Sequence, residues 1–138
     1  MKRTLALILA LCLQGAALAA PDPARYLLTE STMQRLKAAQ QDMQRAGIAT
    51  DDDLAGNDSV EAIAQRIEAK PAVKAALARH GLTPLECALS VHAVLHAGLY
   101  LVAEQEQDRT RAAAMLAGYT DEQRANIELL RKSARLGR

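Results

Sequence analysis

The chain has 138 residues, half of them hydrophobic, and 17 basic side chains against 16 acidic ones. With Lys2 and Arg3 set aside in an amino-terminal leader, 15 basic residues face 16 acidic ones and no block of five like charges occurs. That leaves no electrostatic footprint for nucleic acid or anionic lipid. Phe and Trp are absent, and Tyr26, Tyr100 and Tyr119 are too few to make a platform for base stacking.

Lys2 and Arg3 open a leader with a short positive region, followed by an apolar stretch over residues 5–13 and a run of small residues to Ala20. Ala17-Leu18-Ala19 fits the small-x-small rule for a signal peptidase, which places the cut after Ala19 or one residue later. The apolar stretch is shorter than the roughly 20 residues that a bilayer core of about 30 Å requires. The expected organisation is a signal peptide over residues 1–19 and one helical domain over residues 20–138, in a periplasmic or secreted protein with no membrane insertion after cleavage. Cys12 does not make a lipobox, because bulky Leu11 precedes it where Gly, Ala or Ser is needed. The processed chain keeps one cysteine, Cys87, so no internal disulfide can staple it and its core must hold it together.

Ala, Leu, Val and Ile supply the apolar material, and no alternating β-branched run suggests a strand. The fold class is all-α: a compact bundle of four to five short helices around a central apolar one. Residues 20–29 form a lead-in with Pro21 and Pro23, neither of which fits a helix interior. Ser31, with Gln34 three residues on, makes a capping-box pattern for the first helix. Met33, Leu36, Ala39, Met43 and Ala46 give that helix an apolar face, and Gly47 ends it. The acidic segment from Thr50 to Asp58 lacks the alternating oxygens and closing Glu of a calcium loop and reads as a solvated linker.

Asp58 or Ser59 starts a second helix with an apolar stripe of Val60, Ile63, Ala64 and Ile67. Pro71 opens a third through Val73, Ala76 and Leu77, closed by Gly81, and His80 falls at its carboxyl end, where a charged form suits the dipole. Thr83-Pro84-Leu85-Glu86 combines a cap, a proline at the first helical position and a reciprocal glutamate. The helix it starts is apolar on nearly every side through Leu85, Leu89, Val91, Val94, Leu95, Leu99, Leu101 and Val102. A helix of that kind is normally enclosed by others, so it is expected at the centre of the bundle. Its length tempts a transmembrane reading, which Glu86, His92 and His96 oppose. Residues 104–111 are polar and fit a loop or a helical extension, an Ala-rich piece follows over 112–116, and Thr120 with Gln123 caps the last helix. Ile127, Leu130 and Ala134 form that helix's face, and Arg131, Lys132 and Arg135 crowd its negative pole.

The sharpest chemical pattern is His92-x-x-x-His96, with Tyr100 four residues further on. Advancing 100° per residue, the three lie within about 80° of each other. Two imidazoles at this spacing can clamp one Zn²⁺ or Cu²⁺, although a full site needs further ligands from another helix. The plainer alternative is a pair of half-buried polar residues bonded to Tyr100, a neighbouring helix or water. Cys87 lies about 140° from His92 and 180° from His96 around the helix, so it joins neither a Cys–His–His site nor a catalytic pair. Its place in a first helical turn would favour a reactive thiol, against the commoner role of a small buried residue. No CxxC, CxxCH, phosphate loop, nucleophile elbow, HExxH or paired-carboxylate motif appears, which removes the usual grounds for an enzyme or a bound cofactor.

Tyr26-x-Leu-Thr29, the stretch from Pro71 to Gly81-Leu-Thr-Pro-x-Glu86, the Ala/Leu helix and Thr120-Asp-Glu-Gln-Arg-Ala-Asn126 together resemble a set of small exported bacterial helical proteins of unknown function. The resemblance implies a periplasmic helical domain and carries over no functional residue. The expected function is a non-enzymatic binding or interaction module for an envelope protein or a small apolar ligand; the alternative is metal binding by His92 and His96.

Overall fold

The computed structural model describes residues 21–50, 58–106 and 108–136. The leader with its Cys12, and residues 51–57 of the acidic linker, lie outside them. Six α-helices are described: α1 (Glu30–Arg45), α2 (Val60–Glu68), α3 (Pro71–Arg79), α4 (Pro84–Gln105), α5 (Arg109–Ala117) and α6 (Asp121–Leu136). No strand occurs among the described residues, so the all-α expectation holds, with five helices around α4.

Local chemistry sets most boundaries. Thr83 Oγ1 accepts from the Glu86 amide at 3.1 Å while the Glu86 carboxylate accepts from the Thr83 amide at 2.9 Å, a complete capping box at α4. Thr120 and Gln123 repeat the arrangement at α6. Ser59, not Asp58, caps α2, and the Asp58 carboxylate instead pairs with Arg66 at 2.6 Å. The cap of α1 is Thr29 rather than Ser31: its hydroxyl accepts from the Thr32 amide at 3.0 Å, and Ser31 sits inside the first turn. Both residues carry the right hydroxyl, and the Thr29 hydroxyl also meets that of buried Thr32 at 2.9 Å. Gly47 and Gly81, with φ of 66° and 67°, end α1 and α3 in the left-handed conformation that glycine adopts without strain. In each case the amide three residues past the last helical residue closes back on the final turn, Ile48 to Met43 and Leu82 to Leu77. The undecided polar stretch divides: α4 runs to Gln105, and Asp108 caps α5 by accepting from the Arg111 amide at 2.9 Å.

The core has two parts that meet on α4. One gathers Met43, Val60, Ile63, Ile67, Val73, Leu77, Leu82 and Leu89 from α1 to α4. The other gathers Ala97, Tyr100, Ala103, Ala112 and Ile127 from α4 to α6. The lead-in is docked, not loose. Buried Asn126 accepts from the Leu28 amide at 2.8 Å and donates to the Tyr26 carbonyl at 2.9 Å, and the Tyr26 hydroxyl meets Ser90 Oγ at 3.0 Å. Ala46 and Ala134, expected on apolar faces, are exposed near the carboxyl ends of α1 and α6.

Helix α4 is central but not enclosed. Its buried face consists mostly of small residues, Ala88, Ser90, Ala93, Ala97 and Ala103, while Leu85, Leu95, Leu99 and Val102 are exposed. Small residues let α2 and α6 come close, and that approach rotates the larger side chains of α4 outward. The helix is long and apolar enough to cross a membrane, yet 39% of its most apolar window is buried against its neighbours.

Candidate functional site

The outward face of α4 carries the most distinctive surface. Leu95, Gly98, Leu99 and Val102 recur at helical spacing on the side opposite the core and span about 10 Å at 1.5 Å per residue. From Cys87 to Ala103 the sequence holds no Asp, Glu, Lys or Arg. A Cβ placed on Gly98 would meet nothing within 4 Å, so no packing inside the domain requires a glycine there.

At its amino-terminal end this face opens into a cleft of about 380 Å³. Helix α1 contributes Leu36, Gln40 and Met43, and Leu77 comes from α3. Helix α4 contributes Cys87, Val91, Val94 and Leu95, and Thr50 completes the lining. No charged side chain takes part, and Gln40 and Thr50 supply the side-chain amide and hydroxyl. The volume falls at the lower end of the range for small-molecule sites, roughly 300–1,000 Å³. The i, i+4, i+7 spacing of Leu36, Gln40 and Met43 was a readable sign that Gln40 shares a face with apolar neighbours. Their meeting with Leu77 and α4 is a matter of tertiary packing and leaves no local trace.

Cys87 lines this cleft and is buried, and burial pushes its thiol up to about 11. Desolvation of the thiolate therefore outweighs the first-turn dipole, in keeping with the commoner role of a small buried residue.

His92 and His96 lie on a different side of α4, as their spacing predicts, with ring centroids 4.4 Å apart and planes tilted by 31°. Tyr100 does not complete the stripe as a bonding partner; it is buried in the second core. The residue that does approach is Tyr119, before α6, with its ring 6.2 Å from His96 and its hydroxyl donating to the His96 carbonyl at 3.3 Å. Neither imidazole hydrogen-bonds to another described residue. Burial holds the His92 ring below the ordinary histidine range, and the neighbouring His96 adds to the effect, while the Glu61 carboxylate on α2 opposes it. Among the described residues, no group of three or more His, Cys, Asp and Glu comes together to hold a metal ion. His80 caps α3 as expected, but its ring is spent on Asp42 of α1 at 2.6 Å.

No protein-family model matches the chain, and neither a curated protein nor a solved structure is significantly similar to it.

Proposed function

We propose that the protein is an exported, non-enzymatic binding module whose cleft between α1, α3 and α4 takes a small, neutral, apolar ligand. The observation that carries this reading is the uncharged cleft, continuous through Leu95 with an outward apolar face. Burying apolar surface is favourable by about 25 cal/mol per Å², and a lining without charged groups avoids the large cost of desolvating a charge. The amide of Gln40 and the hydroxyl of Thr50 would orient one polar atom of the ligand. A second reading, an apolar envelope protein seated on the same face, draws on Leu99 and Val102, which are 46% and 51% exposed and lie beyond the cleft. The amino-terminal leader supports a location in the periplasm or outside the cell, and mass spectrometry of the envelope fraction tests this: the expected product lacks residues 1–19.

Titration with N-phenyl-1-naphthylamine, a neutral apolar fluorophore, tests the cleft. The expected result is saturable enhancement and a blue shift, lost in Val94→Trp, which fills the cleft, and retained in Leu136→Ser on α6. Unchanged emission at saturating dye overturns the cleft reading. Retained binding in Val94→Trp but loss in Leu99→Glu moves the site to the outward face and favours the protein partner.

A further inference from the structure

A second site lies on the other side of α4, independent of the cleft. The i, i+4 spacing only places His92 and His96 one turn apart; their rotamers could still splay the rings. Here the rings converge, with centroids 4.4 Å apart. Their nitrogens are not taken up by hydrogen bonds to other described residues and are open to solvent, so they remain available to a ligand. The chain has three histidines, and the third, His80, is engaged by Asp42 on α3's far contact with α1.

We propose that His92 and His96 form a two-nitrogen clamp for a borderline divalent cation, Cu²⁺ before Ni²⁺ or Zn²⁺, with its remaining coordination positions left open. Imidazole suits these metals, and the order follows the general rise of affinity towards Cu²⁺. Because no third protein ligand is assembled among the described residues, the site is not the closed kind that holds a fold together. Apoprotein is therefore expected to be folded, and water or an incoming donor fills the open positions. The Glu61 carboxylate on α2 adds negative charge on the His92 side. Tyr119 limits the space on the His96 side, and its hydroxyl already donates to the His96 carbonyl.

The test is a titration of the processed protein with Zn²⁺ followed by histidine-ring NMR, which needs no substitution. The expected result is that two of the three histidine signals shift together and saturate near one equivalent while His80 stays in place. Cu²⁺ added to the same protein is expected to give an electron paramagnetic resonance spectrum with two nitrogen donors. Loss of an outer-shell partner alone typically costs about 10–100-fold in metal affinity, so H92Q or H96Q is expected to weaken Cu²⁺ binding by at least about tenfold. Circular dichroism verifies that these variants fold, and H80Q is expected to bind like the parent. Equal shifts of all three histidines, no shift at all, or undiminished uptake by the folded H92Q/H96Q double variant would each overturn the clamp. Loss of dye binding in the cleft would leave it standing, because the two sites share no lining residue.

Discussion

The two halves of the core solve the same packing problem with different material. Around α1, α2, α3 and the start of α4, large aliphatic side chains such as Ile63, Ile67 and Leu77 interlock, and α4 answers them with Cys87, Ala88 and Leu89. Around the end of α4, α5 and α6, the fully buried set has two large members, Tyr100 and Ile127. Polar ties make up the difference there. Asn126 pins the lead-in, and Arg131 donates to both carboxylate oxygens of Glu104 at 2.9 and 2.8 Å. A hydrophobic cluster tolerates small shifts, whereas a buried amide with two fixed partners does not. The difference implies that the second half opens first.

The sharpest way to break this comparison is a matched pair of truncations. Ile67 and Ile127 are 1% and 2% exposed, and replacing either with Ala is expected to cost about 2–5 kcal/mol in urea unfolding. Native-state hydrogen exchange separates the two. Ile127→Ala should release the amides of α5 and α6 while α2 and α3 keep their protection, and Ile67→Ala should lower protection throughout. Equal loss everywhere in both variants would mean one cooperative unit and end the distinction.

Two changes of about 1–3 kcal/mol sharpen it further. Asn126→Ala strands the Leu28 amide and the Tyr26 carbonyl, an expected loss of that size, and should expose the lead-in to trypsin at Arg25. Ala97→Leu adds apolar volume to a site that is 2% exposed, and overpacking is expected to destabilise the domain by a similar amount. Urea midpoints measured side by side verify both.

What the sequence disclosed follows from the range of the forces involved. Caps at Thr83 and Thr120, breaks at Pro71 and Gly81 and the stripe of α2 depend on residues within one turn, so they could be read locally. Thr29 and Ser31 both offer a capping hydroxyl, so local chemistry alone did not choose between them. The facing of α4 was hidden for a sharper reason: a helix apolar all round carries no periodic signal, so nothing local says which face meets the core. His92 and His96 share a face by spacing alone, but Tyr119 and Glu61 reach them from elements distant in sequence. The cleft arises because α1, α3 and α4 converge.

Acidification is expected to act in two steps, each smaller than the core truncations. The His92 ring titrates below the ordinary histidine value in the folded protein, chiefly because burial disfavours its charged form. Protonation thus favours the unfolded chain, so this contribution is complete above the unfolded histidine range and falls away as pH drops through the lowered folded value. Asp42 is held below the usual carboxylate value by its hydrogen bond from His80, with Arg45 adding to the effect. Its contribution is present above the unfolded carboxylate range and is lost at lower pH still. Thermal melts across pH 7 to 3 should show both steps, with H92Q removing the first and D42N the second. A parent profile flat from pH 7 to 5 would contradict the first.

The smallest expected effect tests the inverted facing of α4. Leu99 is 46% exposed, and truncating an exposed side chain that fills no cavity changes stability by roughly 0.5 kcal/mol or less. Leu99→Ala should therefore leave the urea midpoint almost unmoved while Ala97→Leu, two residues away, lowers it. For a helix apolar all round the hydrophobic count alone predicts the reverse, a penalty for losing a leucine and a gain for adding one. The opposite order of midpoints would mean that Leu99 faces the interior and that the outward surface with its cleft is misplaced.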